Sequence, residues 1–131
     1  MSLIRTTKDK ERVKSILEIV ELIEKRISKE DKSKFSPLIL SDYYEIIKEL
    51  MTAVLLRDGF KTLSHKELIE YLELKYKEFN KSEILEIDKL RITRNRIVYE
   101  GFKIPQNYLT DYEFVFRLII KKLKLLIKNK L

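Results

Sequence analysis

The chain reads as an all-α protein, an up-and-down bundle of four to five helices, and three observations predict this. Apolar residues recur at helical spacing in five stretches. Four of these open with a residue able to cap a helix and an acid three positions later. Only two glycines and two prolines punctuate 131 residues in which Leu, Ile, Glu and Lys dominate, so there is little turn chemistry for strands. At this length a single domain spanning 1–131 is expected, large enough to bury one core without disulfides or a metal.

The first helix should run from about Asp9 to Ser28, with Val13, Ile16, Leu17, Val20, Ile23 and Ile27 on one face. A charged link, Lys29 to Lys34, follows it. The second helix is expected from about Pro37 to Arg57, since Pro is tolerated in a first turn, although Asp42 with Glu45 is an equally good start. Its broad stripe of Ile46, Ile47, Leu50, Met51, Val54 and Leu55 marks a central helix, and Asp58-Gly59 supplies the stop. Ser64 and Glu67 form a capping box for a third helix ending near Phe79. Asn80 and Glu83 cap a fourth, from about Ser82 to Tyr99, which Gly101 and Pro105 end. Thr110 and Glu113 cap a long last helix that buries Tyr112, Val115, Phe116, Ile119, Leu123, Leu126 and Ile127. Short links between these elements favour antiparallel neighbours.

The absence of cysteine excludes disulfides, thiolate metal sites and cysteine nucleophiles. No apolar run has the length of a signal peptide's core or a membrane span, so a cytoplasmic protein with no membrane partner is expected. A net charge of +7 favours polyanions, yet the lysines are scattered among glutamates as on an ordinary solvated helical surface. Lys121, Lys122, Lys124, Lys128 and Lys130 make the last helix basic, which its own dipole favours at a C-terminus. No Gly-rich phosphate loop, Ser-His-Asp set or carboxylate–histidine metal cluster can be assembled, and no cofactor is expected.

One constellation stands out. In the fourth helix Ile87, Leu90 and Ile97 form a core stripe, and the position that continues it between Leu90 and Ile97 is Arg94. A buried guanidinium without a partner is very costly, so Arg94 must meet a carboxylate, backbone carbonyls or an anionic ligand; Glu45 and Glu49 are candidate partners. Stepping by four, Arg91, Asn95 and Tyr99 lie along one line beside it. A guanidinium gripping phosphate, an amide orienting a base or ribose, and a phenol that stacks or bonds would together suit a nucleotide. On spacing alone, an Arg–acid pair and a core tyrosine fit as well.

Arg94-Asn95-Arg96-Ile97-Val98-Tyr99 resembles the signature of the HEPN (higher eukaryotes and prokaryotes nucleotide-binding) family, in which an arginine, usually followed by asparagine, precedes a histidine. Asp42-Tyr43-Tyr44-Glu45-Ile46-Ile47-Lys48-Glu49-Leu50 and Leu63-Ser64-His65 also look like the second helix and following turn of such proteins, so the likeness covers nearly half the chain. It implies metal-independent RNA cleavage, with Arg94 steadying phosphate. It also implies a homodimer with its motifs facing one another, and a toxin–antitoxin pairing with a minimal nucleotidyltransferase.

The motif's histidine position holds Tyr99, whose phenol is a poor general base at neutral pH. Gly101 stands where the toxin branch carries a tyrosine that its antitoxin can modify. His65, the only histidine, is expected to be a surface or capping residue in the first turn of the third helix, and Tyr43, Tyr44, Tyr108 and Tyr112 to be core or rim residues.

Three readings follow. In the first, an HEPN-type protein binds RNA or a nucleotide through Arg94, Asn95 and Tyr99 with Arg91 and Arg96, and is a weak ribonuclease or none. In the second, it is an active endoribonuclease using Arg94, Asn95 and Tyr99 with a base from elsewhere. The third is a helical dimerisation module without ligand.

Overall fold

The computed structural model describes residues 2–129; Lys130, counted above with the basic last helix, lies outside them. Capping chemistry sets several helix ends. The Asp9 carboxylate accepts the Arg12 amide and opens α1 (Lys10–Lys29). α2 (Ser36–Asp58) starts with Pro37 in its first turn and stops at Gly59, whose φ of 89° is the left-handed conformation that glycine adopts without strain. Ser64 caps α3 (His65–Lys75) through the Glu67 amide. Asn80 and Glu83 form a reciprocal capping box for α4 (Lys81–Glu100), which ends at Gly101 with φ 66°. α5 (Tyr108–Asn129) completes the bundle.

Helix α2 is the axis. All four other helices pack on it, and most of it is buried, from Ile39, Leu40 and Tyr44 through Ile46, Ile47, Leu50 and Met51 to Ala53 and Val54, each 0 % exposed. A strip with Asp42, Glu45, Lys48, Glu49 and Thr52 stays half-buried, so the apolar face is broad, as a central helix needs. Residues of all five helices join one hydrophobic cluster, including Val13 and Val20 of α1, Leu68 and Leu72 of α3, Ile87 and Leu90 of α4, and Phe116 and Ile119 of α5. No helix among the described residues is long and apolar enough to cross a membrane.

Four details depart from the expectations. Two-residue strands β1 (Ile4–Arg5) and β2 (Phe60–Lys61) pair antiparallel and tie the N-terminal segment to the turn after α2. Segments this short carry no readable period. Asp42 and Glu45 do not open α2; Asp42 lies within it and accepts from Arg26 at 2.7 Å. α3 stops at Lys75 rather than near Phe79, because Tyr76 leaves the helix at φ −125° to bury its ring and place its hydroxyl on Arg57 and Asp58. The Thr110–Glu113 capping pair is not used: α5 begins earlier, at Tyr108, and Glu113 instead accepts from Tyr43, Lys32 and Arg117.

Candidate functional site

Ile87 and Leu90, both 0 % exposed, fix the rotation of α4, and one turn later the same face carries Arg94. Its side chain is partly buried, with the guanidinium 5.6 Å from the centre of the Tyr44 ring on α2. Nη1 donates to Asn95 Oδ1 at 3.1 Å, while Nε is buried with no hydrogen-bond partner. The expected acids are not there. Glu45 and Glu49 both hold Lys48, at 2.8 and 3.2 Å, and Arg94 makes no ion pair among the described residues. Lys48 sits between them on the same helix, so it captures both carboxylates before the neighbouring helix can.

His65 joins this cluster through Tyr44. Ser64 does the capping, and His65 becomes the first residue of α3, its Nδ1 3.0 Å from the Tyr44 hydroxyl and its ring centre 5.8 Å from that of Tyr44. Tyr44 is fully buried, and burial pushes its phenol up to about 12, against the pull of Arg91 and Arg94. Burial also lowers the His65 pKa below its usual 6.5, helped by the positive charges of Lys48, Arg94 and Arg91 and opposed by Glu45. His65 is therefore neutral at pH 7, beside a guanidinium and on a phenol that stays protonated.

The other residues singled out from the sequence divide. Arg91 belongs to this neighbourhood, since its charge acts on both Tyr44 and His65, but Asp88 holds it through Nε and Nη2, each at 2.9 Å. Asn95 is partly buried and bonded to Arg94. Arg96 points elsewhere, its guanidinium 3.7 Å from the Phe102 ring centre, in the link that leaves the helix. Tyr99 is 74 % exposed and makes no hydrogen bond or ring contact among the described residues, so it is not a core tyrosine. The structure thus groups Arg94, Asn95 and Arg91 with Tyr44 and His65, and leaves Arg96 and Tyr99 outside.

His65 and Tyr44 were missed as site residues. Each looked ordinary on its own helix, and they meet because the segment after Gly59 carries the chain back along α2: the start of α3 lies beside Tyr44, while Tyr71 and Tyr76 reach Asp58 at the end of α2. Hollows lie away from this cluster: one of about 310 Å³ is lined by Glu24, Ile27, Tyr43 and Arg117, and another of about 410 Å³ by Pro37, Ile97, Phe102 and Ile104. Burial and then Glu113 raise Tyr43 to about 12, so in the first hollow the phenol acts as a donor to that carboxylate.

A second arginine cluster contrasts with the first. Arg57, 8 % exposed, donates to the Leu126 carbonyl at 2.7 Å, to Asp58 at 2.8 Å and to the Tyr76 hydroxyl at 2.6 Å. Tyr71, at 2.7 Å, and Tyr76 both donate to the other Asp58 oxygen. Burial works to raise the Asp58 pKa, but the bonds from Tyr76, Tyr71 and Arg57 outweigh it and hold the carboxyl below its usual value.

No family model, no curated protein and no solved structure matches this chain.

Proposed function

We propose that the protein is an HEPN-type RNA- or nucleotide-binding protein that grips phosphate through Arg94, with Asn95 and Arg91 beside it. One observation carries the reading. A permanent cation sits partly buried on the core stripe of α4, with no acid paired to it and one buried nitrogen without a hydrogen-bond partner among the described residues. An arginine kept for stability would be paired, because desolvating it alone is costly; an arginine kept for a ligand is left open until the ligand arrives. Asn95 holds Nη1 and so limits the guanidinium's freedom, which lowers the entropic cost of bidentate phosphate binding.

The dimer and the nucleotidyltransferase partner belong to the same proposal. Leu85, Ile92 and Tyr99 are exposed and seven residues apart on α4, a spacing suited to a second copy packing along that helix. The test is fluorescence anisotropy with a labelled single-stranded RNA at low salt. Binding that Arg94→Ala weakens supports the reading, and binding indifferent to that change removes it.

The enzymatic reading has one specific observation in its favour, the neutral imidazole of His65 in the Arg94 cluster. RNA cleaved to 2′,3′-cyclic phosphate ends in the presence of a chelator, and lost with His65→Ala, would support it; intact RNA after long incubation would remove it.

A further inference from the structure

We infer that His65 belongs to the Arg94 site and that, with Nδ1 taken by Tyr44, it presents a neutral Nε2–H donor to a phosphate oxygen. The inference rests on the reading of Arg94 as a phosphate-binding group and adds the residue that completes its donor set.

The proton's position follows from what a buried phenol needs. Tyr44 is 0 % exposed, and the only hydrogen-bond partner of its hydroxyl among the described residues is His65 Nδ1, at 3.0 Å. A buried O–H that donates to nothing is costly, so the favourable arrangement has the phenol donating and Nδ1 accepting. A neutral imidazole whose Nδ1 accepts carries its hydrogen on Nε2. Both groups hold these states at pH 7: burial keeps the phenol protonated, and burial with the charges of Lys48, Arg94 and Arg91 keeps the ring neutral against Glu45.

The donors then add up. Arg94 lies over the Tyr44 ring with Nε shut off from solvent, Nη1 on Asn95 and Nη2 without a partner among the described residues, so Nη2 is the nitrogen it can turn to a ligand; His65 lies against the same ring. Asn95 uses its carbonyl oxygen to accept from Arg94, which leaves its amide N–H groups without a partner among the described residues. His65 is also the first residue of α3, where the helix's positive end adds to the field. A site offering N–H groups from three side chains suits a ligand that only accepts and carries negative charge, which is a phosphate. With Nδ1 accepting from Tyr44 and the proton on Nε2, His65 has no lone pair left to take a proton from a hydroxyl, so this tautomer goes with the binding reading and counts against the enzymatic one. The phosphate can be an internal phosphodiester of RNA or the terminal group of a nucleotide.

His65 is the only histidine, so in the ¹⁵N-labelled full chain a single imidazole reports on the site. At pH 7 the expected spectrum has Nε2 protonated and Nδ1 of the unprotonated, hydrogen-bonded type. Two probes are added separately: a short single-stranded RNA without terminal phosphates, and adenosine monophosphate. A shift of the Nε2 resonance that saturates with RNA assigns a phosphodiester, and one that saturates only with the monophosphate assigns a terminal phosphate; either supports the inference. Tyr44→Phe should mix the two tautomers and weaken binding several-fold, and His65→Gln, which keeps a donor, should bind better than His65→Leu. A proton found on Nδ1 in the free protein overturns the donor assignment. An imidazole unmoved at RNA saturation, with Arg94→Ala still weakening that binding, overturns the role of His65 alone. RNA binding that ignores Arg94→Ala overturns the reading on which the inference stands.

Discussion

Arg57 and Arg94 are both arginines on helices of the core, and they are treated in opposite ways. At Arg57 all three side-chain nitrogens donate, to Asp58, the Leu126 carbonyl and the Tyr76 hydroxyl, and Tyr71 and Tyr76 close the circle on Asp58. At Arg94 one nitrogen donates to an amide next door, one is buried and unused, and the nearest helix offers the face of a tyrosine. The first arrangement ties the end of α2 to α3 and α5 and leaves nothing for a ligand. The second leaves a partly buried cation without an acid among the described residues, the arrangement on which the proposed phosphate site rests. A charged residue in a core is thus informative only once its partners are counted.

The largest expected effect is on stability at the closed cluster. Arg57→Ala strips Asp58 and the Leu126 carbonyl of a buried cation and should cost about 3–5 kcal/mol in urea unfolding, with RNA affinity unchanged for the protein that remains folded. Equal losses from Arg57→Ala and Arg94→Ala would erase the contrast between them.

The next effect is on affinity at the open cluster. Arg94→Ala should weaken RNA binding roughly 10- to 100-fold, the worth of about 1.5–3 kcal/mol for charge-assisted bonds. Its effect on stability should stay near the ~1 kcal/mol of a cation–ring contact. Anisotropy and urea titration of the same preparations separate the two quantities.

The two clusters should also respond to different pH windows. His65 has a depressed pKa in the folded state, so as pH falls through 6.5 the unfolded chain binds the proton first. Stability should decline from there until the folded ring protonates too, and His65→Gln should flatten this part of the profile. Asp58 also has a depressed pKa, but as an acid: its contribution is complete above 3.8 and is lost as pH falls through the lower folded value. Asp58→Asn should therefore change the profile only in the acid range.

The smallest effects are expected at the residues the structure sets apart. Tyr99→Phe and Arg96→Ala should each change stability by no more than about 0.5 kcal/mol. RNA affinity should fall by less than for Arg94→Ala. A loss at Tyr99 as large as at Arg94 would move the site one turn along α4.

Much of the fold was legible because it is written locally. Asp9, Ser64 and Asn80 accept the amides their positions call for, and Gly59 and Gly101 take the left-handed conformations that end α2 and α4. The false starts share one cause. Asp42 and Glu113 have the spacing of caps, but their carboxylates are claimed by Arg26 and by Tyr43, Lys32 and Arg117, partners that no local pattern reveals. The site shows the same division. Arg94 was visible as a charge breaking a hydrophobic stripe, and Asn95 as its neighbour. Tyr44 looked like one more core aromatic and His65 like a helix cap, because their meeting depends on how α2, α3 and α4 pack.

The affinity of the wild-type chain and of Arg94→Ala for one short single-stranded RNA, followed across a series of salt concentrations, decides whether this guanidinium holds phosphate. If it does, the variant binds at least about tenfold more weakly at low salt, and its log–log salt slope is shallower by about 0.7, the release expected for one lost phosphate contact on a single strand. If the two proteins give superimposable lines, Arg94 meets no phosphate and the open cluster on α4 is not where RNA binds.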